Sequence, residues 1–133
     1  MQLSSYQQLT IKEVKLENFK HGALSVTIRI EDGKAFMDWL GQSDSRNPAV
    51  ELNPYLDSLV ENLNVPELTI RFNDLEYMNS STVPPIIQLL KKLNSKEINT
   101  TITYNVESKW QAASFKALDS FSKVLNYINV KGG

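Results

Sequence analysis

Asn79, Ser80, Ser81 and Thr82 stand between a stretch that alternates like a strand and a run with the period of a helix. Three hydroxyls at a helix N-terminus would meet free backbone N–H groups and the positive end of the helix dipole, both of which stabilise added phosphate charge. The chemistry on offer is that of an acceptor for reversible phosphorylation. The plainer reading is a helix cap, since Asn, Ser and Thr are the preferred capping residues. The pair Pro84-Pro85 narrows where the helix begins. With the cap at Ser81 or Thr82, both prolines fall in the first turn, where backbone N–H groups have no intrahelical partner to lose. Ser80 is then the hydroxyl most free to be modified.

Other chemistry is poorly supplied. The chain has one histidine, His21, and no cysteine, which excludes a histidine-rich metal centre and a histidine–cysteine dyad. His21, followed by Gly22, reads as an exposed turn residue. The carboxylate pairs Asp57 with Glu61 and Asp74 with Glu76 read as solvated faces rather than as an acid–base couple. A glycine-rich phosphate loop and a nucleophile elbow are both missing from the sequence. An enzyme would have to draw its nucleophile or base from Ser80, Asp74 or Glu76 without an activating partner, so a non-enzymatic protein with no cofactor and no metal is expected.

Composition bounds the setting. With 133 residues, 41% of them apolar, residues 1–133 form one domain with a single core. A net charge of −1, with acids and bases mixed along the chain, gives no basic field for nucleic acid or an anionic membrane. The first residues lack a signal-peptide pattern, no stretch approaches membrane-spanning length, and the lack of cysteine agrees with a reducing compartment. A cytoplasmic protein is expected.

The elements that must position the cluster follow from hydrophobic period. Residues 1–22 are a polar leader in which Leu9, Ile11 and Val14 could supply an extra strand. Leu24, Val26, Ile28 and Ile30 alternate as a half-buried strand, Asp32-Gly33 supplies a tight hairpin turn, and Ala35 to Leu40 returns as a second strand. Gly41 to Pro48 is loop composition. Asn53-Pro54 reads as an N-cap and first helical position, with an earlier turn beginning near Pro48, and Leu56, Leu59, Val60 and Leu63 form the apolar face. Leu68, Ile70, Phe72 and Leu75 make one central strand. A helix then carries Val83, Ile86, Ile87, Leu90 and Leu93 inward and Lys91, Lys92 and Lys96 outward. Ile98 to Val106 is a strand, Trp110 to Lys123 an amphipathic helix, and Leu125 to Val130 a short closing strand. Trp39 and Trp110 are placed at the core edge, with Trp110 also a candidate partner anchor. Strand–helix alternation of this kind predicts an α/β domain with a mixed sheet.

The element order and the segment LTIRFNDLEYMNSST resemble the STAS fold of sulfate transporters and anti-sigma factor antagonists, whose bacterial members carry Asp-Ser-Ser-Gly where this chain has Asn79-Ser80-Ser81-Thr82. Asn79 replaces the aspartate and Thr82 the glycine. The segment Tyr77-Met78-Asn79-Ser80-Ser81-Thr82 is more similar to the Tyr-x-Asn-Ser/Thr-Ser-Ser pattern of the SiaC-like regulatory phosphoproteins. Gly41-Gln42-Ser43 with Asn47 also resembles that family's loop and first helix. The resemblance covers about Leu24 to Val130. It implies a STAS-like single domain, with a mixed sheet of about four to five strands and helices mainly on one face. It further implies a bacterial signalling protein that binds partners under the control of phosphorylation. The SiaC-like pattern places the phosphorylated hydroxyl at Ser80 and the anti-sigma antagonist pattern at Ser81; Tyr77 and Asn79 favour Ser80. Asn79, Thr82, Tyr77 and Trp110 would form the helix cap and partner surface. The implied partners are a Ser/Thr kinase, a metal-dependent phosphatase, and a downstream target such as a diguanylate cyclase or an anti-sigma kinase. The competing reading is a constitutive interaction module in which the hydroxyls only cap the helix.

Overall fold

The computed structural model describes residues 16–133, so most of the polar leader, including Leu9, Ile11 and Val14, lies outside the described residues. Seven strands form one mixed sheet: β1 (Phe19–His21), β2 (Leu24–Glu31), β3 (Lys34–Ser43), β4 (Glu67–Arg71), β5 (Leu75–Met78), β6 (Asn99–Tyr104) and β7 (Ile128–Gly132). Three helices connect them: α1 (Pro48–Asn62), α2 (Val83–Ser95) and α3 (Lys109–Ser122). The spatial order is β1-β2-β3-β4-β6-β7, with β1, β2 and β3 antiparallel neighbours and β3, β4, β6 and β7 parallel. The sheet is therefore larger than the four to five strands expected, through the short β1 and the separation of β5 from β4.

Local chemistry explains the strand ends. Asp32 and Gly33 both adopt positive φ, 53° and 77°, as a two-residue hairpin turn between right-twisted strands requires. Along β3, Ala35, Met37 and Trp39 are buried while Phe36, Asp38 and Leu40 are half-buried, so alternation decides the face. Trp39 is fully buried at 0% exposure rather than at the core edge. It heads an aromatic chain running Trp39–Phe72–Phe115–Tyr104, with centroid separations of 5.0, 4.7 and 5.5 Å. Buried residues of all three helices join one core with this face of the sheet, so the helices cover one side of it.

Three expectations are corrected. α1 begins at Pro48, where the earlier turn is expected, so Pro54 lies inside the helix and not at its first position. Its missing N–H would have bonded the carbonyl of Val50, and both residues are on the exposed side, where water replaces the lost donor. Gly41 to Ser43 belong to β3 rather than to the loop, which is reduced to residues 44–47. The expected central strand through Leu68, Ile70, Phe72 and Leu75 is two strands, both parallel to β3 and divided by a turn at Asn73 and Asp74. The turn is pinned by Gln111 of α3, 1% exposed, whose Nε2 donates to the carbonyls of Phe72, Asn73 and Leu75 at 2.8, 3.3 and 2.9 Å. Gln111 Oε1 accepts from the N–H of Asn105 at 2.7 Å, so one buried amide fixes the strand that leads into the hydroxyl cluster.

Candidate functional site

The cluster sits at the carboxyl end of the parallel strands, where loops follow β3, β5 and β6. Asn79 leaves β5 in extended conformation, Ser80–Thr82 make a single 3₁₀ turn, and α2 starts at Val83. Pro84 and Pro85 thus fall in the first turn of α2, as their missing N–H groups demand. The Asn79 carbonyl accepts the Thr82 N–H at 3.1 Å, which closes the turn. Thr82 holds the N-cap position, yet neither it nor Asn79 caps through its side chain.

The side chains of Asn79 and Thr82 are committed elsewhere. Thr82, 0% exposed, donates to Asn79 Oδ1 at 2.8 Å, and its Oγ1 lies 2.7 Å from Ser43 Oγ. A hydroxyl has one proton, so with Thr82 donating to Asn79, Ser43 is the donor of that pair. Asn79 continues the relay by donating Nδ2–H to the Ser45 carbonyl at 2.7 Å, while its own N–H bonds the Ser43 carbonyl at 2.9 Å. The result is a hydrogen-bonded frame, Ser43–Thr82–Asn79–Ser45, that ties the end of β3 to the start of α2. Thr82 is therefore an internal strut and not part of the surface.

Ser80 and Ser81 differ from Thr82 in both respects. Both are exposed, and among the described residues neither hydroxyl has a protein hydrogen-bond partner. Tyr77 is 45% exposed on β5, and Gln42 Nε2 donates to Glu76 Oε1 at 3.3 Å beside it. Trp110 opens α3 at the same end of the sheet, but it is half-buried and packs 6.5 Å from the Phe115 ring. The structure thus brings Asn79, Ser80, Ser81, Thr82 and Tyr77 together and places Trp110 against the core.

Two residues near the site are placed otherwise than the sequence reading had them. Gly41, at φ 85°, lets the Ala23 carbonyl approach so closely that a Cβ would stand 1.9 Å from its oxygen; the same oxygen accepts the Gln42 N–H at 3.0 Å. This bulge sets the path of Ser43. His21, read as a turn residue, is in β1, with Nε2 3.6 Å from Glu51 Oε1. Among the described residues, no three His, Asp or Glu side chains stand close enough to hold a metal ion, and no helix is long and apolar enough to cross a membrane.

No family model and no curated relative matches the sequence. Solved structures do match the fold. An anti-sigma factor antagonist from Mycobacterium paratuberculosis superposes with a TM-score of 0.59 at 17% identity, over 80% of this chain and 85% of that one. SiaC, the activator of the diguanylate cyclase SiaD, in the complex of the two from Pseudomonas aeruginosa, superposes with a TM-score of 0.58 at 12% identity, over 88% of this chain and 99% of that one. The fold is STAS-like, of the kind SiaC has.

Proposed function

We propose that this protein is a non-enzymatic regulator that binds a partner protein through the surface around Ser80, and that phosphorylation of Ser80 switches the binding. The observation that carries the reading is the division among the hydroxyls: Thr82 is locked inside, while Ser80 and Ser81 project from the same turn into solvent. A phosphate adds a charge of about −1.5 to −2 and a tightly held hydration shell that a close interface would have to strip. The frame beneath need not move, so binding changes without refolding. The solved SiaC complex supports a diguanylate cyclase as the partner class, and the anti-sigma factor antagonist supports an anti-sigma factor as the other, here proposed to be an anti-sigma kinase. A Ser/Thr kinase would add the phosphate and a metal-dependent phosphatase remove it, within the cytoplasm. The lack of side-chain capping by this turn weighs against a module in which the hydroxyls serve only as caps.

Phosphopeptide mass spectrometry on protein from its native cells is expected to find phosphate on Ser80, with Ser81 the alternative acceptor. Ser80→Asp should lose the partner that Ser80→Ala retains in affinity capture. Equal capture by the two variants, with no phosphate on either serine across growth states, refutes the switch.

A further inference from the structure

Beside the frame lies a cavity of about 220 Å³, and the Ser43–Ser45 segment that Asn79 braces forms one of its walls. Leu24 and Leu52, 4% and 1% exposed, and the Phe19 ring give it an apolar interior. Its polar lining includes Asp44, His21 and Glu51. The His21 and Glu51 side chains are 49% and 34% exposed and Asp44 is exposed, so this rim is reached from solvent.

Size and charge restrict what fits. Sites for whole small-molecule ligands usually run from about 300 to 1,000 Å³, so this volume suits a single side chain better. An anion would meet two carboxylates, and a purely apolar group would desolvate them without recompense. The rim remains negative even with His21 protonated, since two carboxylates then face one imidazolium. A long side chain with an apolar stem and a cationic head satisfies both the interior and the rim. Between the two such residues, arginine offers a planar fork for carboxylates and a flat face for an aromatic ring, and it is enriched among interface anchors. Resting on the partner-binding reading above, we propose that this cavity seats an arginine side chain of the partner protein, with Asp44 and Glu51 receiving the guanidinium and Phe19, Leu24 and Leu52 its stem.

The test uses butylguanidinium as probe, followed by backbone amide NMR of the full chain, with butylammonium and butanoate as comparisons. Butylguanidinium should give saturable shifts at Leu24, Asp44 and Glu51, butylammonium weaker binding, and butanoate none. Glu51→Gln, and separately Asp44→Asn, should each weaken the probe about fivefold, the upper range for a partly exposed ion pair, with the rest of the spectrum unchanged. Butanoate or butylammonium binding as tightly as butylguanidinium overturns the assignment, as does indifference of the probe to both substitutions. Ser80→Asp should leave probe affinity unchanged, because Ser80 does not line the cavity. The two readings therefore fail separately: absent probe binding with an intact Ser80 switch sinks the cavity alone, and probe binding with an indifferent Ser80 sinks the switch alone.

Discussion

Replacing Thr82 by valine keeps the shape of a fully buried side chain and removes one oxygen from the centre of the frame. Two hydrogen bonds go with it, the one from Ser43 at 2.7 Å and the one to Asn79 at 2.8 Å. Each bond contributes about 1 kcal/mol net. The larger cost is that Ser43, itself 2% exposed, keeps a hydroxyl proton with no acceptor. An unsatisfied buried group costs about 1–3 kcal/mol, and the extra methyl returns at most about 0.8 kcal/mol. The loss should come to about 3 kcal/mol. With a urea slope of about 1–3 kcal/mol/M, the unfolding midpoint falls by roughly 1–2 M at unchanged slope. Removing Ser43's hydroxyl as well takes away the orphaned donor, so the pair Ser43→Ala, Thr82→Val should cost about 1 kcal/mol less than the sum of the singles. Thr82→Ser, which keeps the oxygen, should preserve the coupling to Ser43. A Thr82→Val protein within about 0.5 kcal/mol of wild type, or a cycle showing no coupling, refutes the frame.

Two further outcomes follow from the same geometry. Gly41→Ala forces a Cβ against the Ala23 carbonyl oxygen at a positive φ, and the combined strain should cost about 3 kcal/mol or more, read as a large drop in Tm; an unchanged Tm refutes the close approach. Tyr55, whose hydroxyl donates to the Glu17 carbonyl at 2.6 Å, has its pKa pushed up to about 12 by burial and then by the nearby Glu17 charge. The folded state holds this proton more tightly than the unfolded state, so its contribution is whole below pH 10 and is lost as pH rises toward 12. Tyr55→Phe should flatten that part of the stability curve, and parallel curves for the two proteins above pH 10 would contradict it.

How much of this was legible in the sequence depended on the range over which the deciding contact acts. The Asp32-Gly33 hairpin and the start of α2 were readable because a turn dipeptide and a proline pair constrain their own backbone. The β4–β5 division was not, since Phe72 and Leu75 continue the apolar pattern across Asn73 and Asp74 and the deciding amide comes from Gln111 on another helix. Pro54 misled for the opposite reason: proline restricts its own turn, but an exposed helix face tolerates the missing bond. The seven-strand sheet exceeded expectation through the β4–β5 division and because β1 is three residues long and carries no period of its own. At the site, the exposure of Ser80 followed from locating the helix start. The role of Thr82 could not be read, because Ser43 lies 39 residues away in the chain.

That last contact changes what the cluster can do. As a sequence it offers three hydroxyls with Ser80 the most free, and as a structure it leaves two as acceptors, because Thr82 has its proton given to Asn79 and its oxygen engaged by Ser43. Bringing Thr82 to an enzyme's active site would require opening the turn and releasing the end of β3 with it. Ser80 and Ser81 require neither. The same frame that withholds Thr82 also fixes the direction in which Ser80 and Ser81 project, and through the Ser45 carbonyl it holds a wall of the neighbouring cavity. A charge placed on Ser80 therefore meets a rigid base, and its effect falls on whatever approaches the surface rather than on the fold. This is the physical requirement for a switch that alters association with little effect on stability, and Ser80→Asp should accordingly unfold within about 1 kcal/mol of wild type, the most that an exposed charge at a helix N-terminus contributes.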